Sequence, residues 1–334
     1  MNGIAHSFVV RFRPTGPWRF GPDSGAREDV NLLFHSDAVY SAVTNSMARL
    51  GLLEDWLRDT AHAEPAVRFS SLFPFQRDTL FVVPPQGVWP PAASIKVRYK
   101  GARFVPVNVV QALLNDKPLD EDRWQVDGES ACLIPFGWNE GPFRASLRSG
   151  IGVDRLDAGR VDVHNTACLE FTRDCGVWML VVFANEAAQA QWEKPLRGAL
   201  KLLADSGIGG ERSRGWGRSM QPKWDASGAV SLLPETESPE TAWWILSLYS
   251  PAESDSVDWT RGSYSTVTRT GRTESPARWG EIKAATVMIA EGSVLVAPHA
   301  PSGAVSDVAP EGFPHAVYRA GFAVAIPIPW RVPA

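Results

Sequence analysis

The stretch from Asp205 to Arg218 constrains this chain more than any other part of it. It holds five glycines, three arginines, two serines and a tryptophan, directly after a helical pattern of leucines. Because glycine has no Cβ, its backbone can adopt positive φ and bring amide groups close to an anion, and arginine supplies charge and forked donors. We therefore predict a phosphate-binding loop, with these candidate residues: Gly207, Gly209, Gly210, Arg212, Ser213, Arg214, Gly215, Trp216, Gly217 and Arg218.

The common nucleotide-binding motifs do not fit this stretch. A Walker loop requires lysine where the chain has Trp216, and a dinucleotide fingerprint requires a third glycine where it has Arg212. Both motifs also precede a helix, whereas these glycines follow one. The alternative is a helix C-cap at Gly207, which explains one glycine only. If the loop binds phosphate, bulk at Gly209 or Gly210 should block the ligand while the fold survives.

The helix, the glycine-rich stretch and the strand after it resemble the RAMP proteins, the RNA-binding subunits of CRISPR systems. Six further segments, in family order along the chain, resemble the fourth subunit of Csm-type (type III-A) effector complexes: His35–Ala42, Leu72–Phe75, Arg261–Tyr264, Thr268–Arg272, Glu291–Leu295 and His315–Gly321. The resemblance implies a subunit that anchors the repeat-derived 5′ handle of the CRISPR guide RNA. It also implies protein partners, namely the large polymerase/cyclase subunit and the backbone RAMP subunits.

Residues outside the stretch add further candidates for RNA binding. His35 precedes a helix predicted to begin with Ser36 as its N-cap, where it either donates to RNA or only leads into the cap. Ile95 to Lys100 alternates apolar and basic residues, which predicts a strand with one basic face. That face either grips phosphates, as a counterpart of the family's projecting hairpin, or protects a sheet edge. Arg19 lies in a loop rich in glycine and proline, and Arg155 lies in a segment that resembles the family's guide contact. The candidates outside the glycine-rich stretch are therefore His35, Ser36, Arg19, Lys96, Arg98, Lys100 and Arg155.

Charge distribution indicates a local rather than a general RNA-binding surface. The net charge is −4, yet residues 194–223 carry seven basic and two acidic side chains, whereas residues 225–259 carry acidic ones only. We interpret residues 194–223 as a surface that faces RNA, and residues 225–259 as either a docking surface for a protein partner or a solvated surface. The three cysteines form no CxxC pair, and the longest apolar run is too short for a membrane helix. We expect no metal, no cofactor, no membrane contact and a cytoplasmic location.

The order of predicted elements indicates an α+β fold of two ferredoxin-like (RRM-like) domains, the first with a glycine-rich loop and a hairpin or loop insertion. A Pro/Glu/Ser segment at residues 234–239 separates an N-terminal domain, 1–233, from a β-rich C-terminal domain, 240–334. In the second domain we predict strands at 243–250, 263–269, 286–289, 293–296 and 320–326. The aromatic-rich segments 72–89 and 225–259 are candidate protein interfaces.

Relatives of the RAMP family include endoribonucleases, so cleavage is the alternative function. Metal-free RNA cleavage needs a general base and a general acid, for which His35, Tyr40 and Lys100 are the available candidates. The sequence shows no paired histidines, carboxylate cluster or nucleophile elbow. We therefore favour a non-catalytic RNA-binding subunit over an endoribonuclease, and both over a small-molecule enzyme that binds phosphate.

Overall fold

The computed structural model of this protein describes residues 6–22, 24–91, 97–153, 159, 161–226 and 240–330. It is a mixed α+β structure with several antiparallel sheets, as predicted. In this part of the chain, no helix is long and apolar enough to cross a membrane.

The described residues form twenty strands and four α-helices, together with three short 3-10 helices at Val97–Gly101, Glu121–Arg123 and Arg212–Arg214. The α-helices are α1 (Ser36–Arg49), α2 (Leu53–Thr60), α3 (Val107–Leu114) and α4 (Glu186–Ser206). The strands are β1 (Ser7–Phe12), β2 (Val67–Phe69), β3 (Phe73–Gln76), β4 (Thr79–Val82), β5 (Val105–Pro106), β6 (Trp124–Asp127), β7 (Cys132–Pro135), β8 (Phe143–Val153), β9 (Val161–Phe171), β10 (Cys175–Phe183), β11 (Lys223–Asp225), β12 (Thr241–Ile245), β13 (Thr266–Arg269), β14 (Arg272–Glu274), β15 (Trp279–Ile282), β16 (Thr286–Ile289), β17 (Val294–Val296), β18 (Gly303–Asp307), β19 (Tyr318–Phe322) and β20 (Ala325–Pro329).

The largest sheet organises the N-terminal half. β11, β1 and β10 lie side by side, β2 and β3 both pair with β10, and these pairs are antiparallel. With α1 and α4, these strands follow the order β1-α1-β2-β3-β10-α4-β11 along the chain. Every residue of β10 is buried. Val39 of α1 and Leu200 and Leu203 of α4 lie beside Phe12 and Met179 of the sheet, and the Trp178 indole donates to the carbonyl of Phe81 in β4 at 2.8 Å.

A long insertion separates β3 from β10, and here one prediction is wrong. Residues 97–101 form a 3-10 helix rather than the predicted basic strand, and residues 95 and 96 lie outside the described residues. Tyr99 is fully buried in this helix. Its hydroxyl contacts the carbonyls of Glu121 at 2.5 Å and Trp124 at 3.1 Å. These tertiary contacts override the alternating pattern, which by itself is typical of a strand.

The long hairpin of the insertion lies later in the chain than predicted. β8 and β9 pair over their full length, from Phe143 opposite Phe171 to Val153 opposite Val161. The inner end packs into the core through Phe143 and Leu169, whereas the outer end is exposed. A long, partly exposed hairpin is therefore formed by β8 and β9, whereas residues 97–101 are helical.

Small antiparallel sheets make up the C-terminal half. They pair β12 with β17 and β20, β13 with β16, β14 with β15, and β18 with β19. Four of the predicted strands overlap observed ones, namely β12, β13, β16 and β17 for the predictions at 243–250, 263–269, 286–289 and 293–296. The strand predicted at 320–326 instead spans the end of β19 and the start of β20. As described, residues 240–330 contain no α-helix. A second ferredoxin-like domain therefore stays a prediction.

Helix α1 lies at the junction of the two halves. The main hydrophobic core continues through it, since Tyr40 packs edge-on against Phe322 with ring centroids 6.2 Å apart. A bidentate ion pair also joins Asp37, in the first turn of α1, to Arg269 of β13 at 3.1 and 3.2 Å. The predicted linker at 234–239 lies outside the described residues. The two halves thus pack directly against each other, beside the glycine-rich stretch.

Candidate nucleic-acid interface

The glycine-rich stretch is an ordered loop, hereafter the glycine loop (residues 207–218), folded against residues 17–20. Helix α4 ends at Gly207, whose amide donates to the carbonyl of Leu203 at 2.8 Å. The amide of Gly210 donates to the carbonyl of Arg19 and the amide of Gly217 to that of Pro17, both at 2.9 Å. Several amides of the loop therefore bond within the protein, and the loop's capacity to bind anions depends mainly on its side chains.

Packing requires glycine at three positions of the loop: Gly207, where a methyl group would meet the carbonyl oxygen of Trp216, and also Gly209 and Gly217. Gly209 has φ of 87° and Gly217 has φ of 80°. A methyl group would meet the carbonyl oxygen of Arg19 at Gly209 and that of Ile208 at Gly217. Bulk at Gly209 would therefore disturb the fold, contrary to our prediction that the fold would survive it. Gly210 lacks this constraint, because an added methyl group would meet no backbone atom and only side-chain carbons of Arg19, the nearest at 3.3 Å.

The three arginines of the glycine loop have different environments. Arg212 donates to Glu274 of β14 at 2.6 Å and so ties the loop to the C-terminal half. Arg214 contacts Glu211 at 3.3 Å and His164 of β9 at 3.1 Å. Arg218 is exposed, as is Ser213, whereas Trp216 is half-buried. Arg214 and Arg218 thus face solvent, and Arg212 faces the junction of the two halves.

Arg19 supports the glycine loop from beneath and is not exposed to a ligand. It is 7% exposed, and its guanidinium donates to carbonyl oxygens of residues 26, 27, 29 and 167 at 2.7 to 3.0 Å. Burial lowers the pKa of Arg19, and the charge of Glu211 partly offsets this. The residue predicted to contact RNA therefore positions the loop instead.

A cleft of about 520 Å³ lies between the glycine loop, the first turns of α1 and the C-terminal half. Cationic side chains outnumber anionic ones among the described residues that line it: Arg212, Arg269, Arg272, Lys283 and Arg319 against Asp37 and Glu274. Such a concave, positively charged surface concentrates anions. The cleft is therefore the candidate site, with the glycine loop as one wall.

Two of these arginines form the base of the cleft. Arg269 makes the bidentate pair with Asp37, and the Arg319 guanidinium lies 3.6 Å from the same carboxylate. Arg319 also donates to the carbonyl of Thr270 at 2.6 Å. Both arginines and Asp37 are buried. Held in this way, Arg269 and Arg319 supply positive potential and rigidity.

Lys283 and Arg272 are the cations of the cleft best placed for a ligand. Lys283 is half-buried, and within the described residues no hydrogen bond or ion pair holds its ammonium group. Burial lowers the pKa of Lys283, the charge of Arg319 lowers it further, and Asp37 opposes both effects. Arg272 is exposed and donates to the carbonyl of Gly280 at 2.7 Å. An anion beside Lys283 would stabilise its charged form.

His35 and Ser36 belong to a buried network that joins the two halves. His35 is the residue before α1, and its Nδ1 lies 2.8 Å from the Glu291 carboxylate. Ser36 does not cap the helix as predicted, because its hydroxyl accepts from the amide of Leu248 at 2.9 Å. Burial alone would raise the pKa of Glu291, but the charge of His35 and hydrogen bonds from His35 and Ser71 hold it below its ordinary value. Neither His35 nor Ser36 is exposed in the cleft.

Of the remaining predicted candidates, the structure describes Arg98 and Lys100, and neither is among the described residues that line the cleft. Arg98 and Lys100 belong to the 3-10 helix of the insertion, where Lys100 is exposed. Lys96 and Arg155 lie outside the described residues.

The β8–β9 hairpin approaches the glycine loop with a polar face. Because strand residues alternate between faces, His164 and Arg148 share one face of the hairpin. On this face His164 contacts Arg214 of the glycine loop, and Arg148 pairs with Glu170 of β9. Ile151 and Val163 lie opposite each other on the other face and are 67% and 64% exposed. The hairpin therefore extends the polar surface of the loop while presenting a separate apolar surface.

Sequence reasoning missed the C-terminal half of the cleft. Arg269 and Arg272 lie in a segment that carried the family resemblance, but they are not among the predicted site residues. Lys283 belongs to no motif. The available signal was the Thr-Arg-Thr-Gly-Arg run at residues 268–272, which places two arginines around a glycine, as the glycine loop does.

Comparisons with known proteins agree with this architecture. The model of the CRISPR Csm4 C-terminal domain family matches residues 238–328, and no curated protein sequence matches the chain. A chain from the crystal structure of a Csm3–Csm4 subcomplex of the type III-A CRISPR-Cas interference complex superposes with a TM-score of 0.64 at 16% identity, covering 97% of this chain and 99% of that one. A chain from a Csm1–Csm4 cassette in complex with cA4 gives 0.59 at 16% identity, covering 98% and 99%. Residues 238–328 thus match the Csm4 C-terminal domain, and the chain as a whole resembles the Csm4 subunit of type III-A CRISPR complexes in its fold.

Proposed function

We propose that this protein is a non-catalytic, guide-RNA-binding subunit of a type III-A CRISPR complex. It holds the repeat-derived 5′ handle of the guide in the cleft between its two halves. The glycine loop forms one wall of that site, and Arg272 and Lys283 form the other.

The excess of positive charge in the cleft is the observation that carries this proposal. Asp37 is already paired with two arginines, and Glu274 with Arg212. The charges of Lys283 and Arg272 therefore remain to be balanced by a ligand. A chain of phosphates suits such a site, because each phosphodiester carries one negative charge and oxygens that accept from arginine.

The proposed protein partners follow from the matched structures. The solved relatives were crystallised in Csm3–Csm4 and Csm1–Csm4 assemblies. We propose that this chain likewise contacts a large polymerase/cyclase subunit and a backbone RAMP subunit, and so links them around the handle. A cytoplasmic location is part of the same proposal.

The positions of the candidate acid and base residues support a non-catalytic role. The His35 imidazole is engaged with buried Glu291. Burial raises the pKa of Tyr40 to about 12, and its hydroxyl is bonded to Thr60 at 3.0 Å. Neither side chain is placed to take a proton from a 2′-hydroxyl in the cleft, as a general base must be.

His315 is an exposed histidine in contact with a serine hydroxyl. His315 lies 2.7 Å from the hydroxyl of Ser275, and its Nδ1 donates to the carbonyl of Ala316 at 2.9 Å. That donation leaves Nε2 of the neutral ring to accept from Ser275. Ser275 is buried and also accepts from the amide of Ala277, as in a turn. We interpret the pair as part of that turn.

The experiment is RNA binding and cleavage by the full chain. Labelled single-stranded repeat RNA is titrated by fluorescence anisotropy at several salt concentrations, and the bound RNA is then run on a denaturing gel. We compare wild type with Arg272→Gln/Lys283→Gln and with the control Arg49→Gln/Lys117→Gln, which removes one exposed arginine and one exposed lysine elsewhere.

We expect binding of uncut RNA. Each phosphate neutralised on a single strand contributes about 0.7 to the slope of log affinity against log salt. The cleft variant should therefore show a slope smaller by about 1.4, and the control should match wild type. Cleavage by wild type that disappears in His315→Ala would instead establish the endoribonuclease alternative. Equal slopes in all three proteins would place the RNA outside the cleft.

A further inference from the structure

A second basic cavity lies at the edge of the main sheet, where β11 pairs with β1. Its volume is about 250 Å³, and it is lined by Arg11, Arg13, Asp78, Met220, Gln221 and Lys223. No described residue lines both this edge cavity and the cleft. Its charge is therefore not explained by the site described above.

The pairing of β1 with β11 places two cations directly opposite each other. Arg11 is the register partner of Lys223 in this antiparallel pair. Directly opposed residues project from the same face, where like charges are destabilising. The Nε of Arg11 is also buried without a hydrogen-bond partner among the described residues, and its guanidinium lies over the Phe75 ring at 5.9 Å. A buried donor of this kind is costly unless something accepts from it.

The carboxylates near the edge cavity do not balance its cations. Arg13 lies 3.5 Å from Asp174, with the two side chains 38% and 56% exposed. An exposed pair of this kind is weak. Among the described residues of the lining, Asp78 is the one acidic residue. Three cations thus converge on a concave surface with little local compensation, which fits a ligand that brings its own negative charge.

The edge cavity continues directly from the glycine loop. The amide of Thr15 donates to the carbonyl of Arg218 at 3.0 Å, and the amide of Met220 to that of Arg13 at 2.9 Å. Exposed Arg218 therefore lies next to residues 13–15, which directly follow β1. Met220 is 61% exposed at the rim of the cavity.

We infer that the edge cavity binds a phosphate group of single-stranded RNA that extends beyond the glycine loop. The guanidinium of Arg13 and the ammonium of Lys223 contact the phosphate oxygens, and the Nε of Arg11 donates from below. The thioether of Met220 offers an apolar contact to a neighbouring base. This inference rests on the proposed function, because it assigns a second contact for the same RNA.

The test uses the full chain and labelled single-stranded repeat RNA. Arg13→Gln/Lys223→Gln changes two side chains near the surface and leaves half-buried Arg11 in place. Arg49→Gln/Lys117→Gln is the matched control, and Arg272→Gln/Lys283→Gln reports separately on the cleft. Circular dichroism confirms that each variant is folded. We expect the salt slope of the edge variant to fall by about 0.7, because both changed side chains contact the same phosphate, and each phosphate that is no longer neutralised lowers the slope by about 0.7.

The outcomes separate this inference from the proposed function. A slope unchanged in the edge variant but reduced in the cleft variant overturns the edge site and leaves the proposed function standing. A slope reduced in the edge variant but unchanged in the cleft variant supports the edge site and contradicts RNA binding in the cleft. Wild-type slopes in both variants, or no RNA binding by wild type, overturn both.

Discussion

Replacing Glu274 with glutamine should strengthen RNA binding. Glu274 lines the cleft, and its carboxylate accepts from Arg212 at 2.6 Å. A phosphate that enters the cleft is repelled by this carboxylate and competes with it for the guanidinium. Glutamine has nearly the same shape but no charge, so the substitution removes the repulsion and leaves Arg212 available to the ligand.

The expected gain is modest and follows from the exposure of the pair. The side chains of Arg212 and Glu274 are 36% and 35% exposed, so solvent screens the pair, and the bulk-water value gives the lower limit of the repulsion. Two unit charges about 4 Å apart then interact by about 1 kcal/mol. Removing the repulsion should tighten binding about fivefold at low salt. Removing the ion pair with Arg212 should cost the fold less than about 1 kcal/mol.

Fluorescence anisotropy with labelled single-stranded RNA measures this gain. Glu253→Gln is the control, because it removes an exposed carboxylate outside the cleft lining. The advantage of Glu274→Gln should shrink at high salt, since the Debye length falls from about 10 Å at 0.1 M to about 3 Å at 1 M. Equal or weaker binding by Glu274→Gln, with Glu253→Gln like wild type, would refute the reasoning that phosphates occupy this cleft.

Three further predictions concern the framework of the site. Gly209→Ala should lower the melting temperature more than Gly215→Ala, because both positions have positive φ but only Gly209 faces a backbone oxygen. Asp37→Asn should cost about 3–5 kcal/mol in chemical denaturation, because it leaves buried arginines without their carboxylate. Glu291, whose pKa is lowered on folding, stabilises the protein above its ordinary pKa of 4.5 and loses that effect as pH falls through the folded value. Melting curves between pH 6 and 3 should therefore show a smaller acid-induced loss of stability for Glu291→Gln than for wild type.

A specific result would contradict each of the predictions for Gly209, Asp37 and Glu291. Equal melting temperatures for the two glycine variants would mean that residues 17–20 do not confine the loop. A loss near zero for Asp37→Asn would mean that solvent screens the charge cluster. Identical acid profiles for wild type and Glu291→Gln would mean that His35 and Ser71 do not stabilise the carboxylate.

Local patterns predicted the elements that carry the glycine loop. The alternating residues of β1, the apolar run of β10 and the leucine spacing of α4 each correspond to an observed element. The position of the glycine loop after α4 followed from the end of that helical pattern. These features depend on neighbours in sequence, so the sequence alone determines them well.

The other wall of the cleft depends on contacts between distant residues, which local patterns do not encode. Glu274, the partner of Arg212, is 62 residues away along the chain. Glu291, the partner of His35, is 256 residues away. The position of His35 before a helix therefore left open whether it donates to RNA or only leads into the helix cap, and the fold buries it against Glu291. The prediction of a strand with one basic face at residues 95–100 was wrong for the same reason, because carbonyl groups distant in sequence hold Tyr99.

Crosslinking of the protein to its own RNA tests the central claim most directly. The protein is purified from cells that carry a CRISPR array, irradiated with ultraviolet light and digested, and the RNA-linked peptides are identified by mass spectrometry while the bound RNA is sequenced. The proposed function predicts an intact guide with a common 5′ end, linked to peptides that contain residues 207–218 and 269–283. Absence of a guide, or crosslinks confined to peptides remote from both segments, would contradict it.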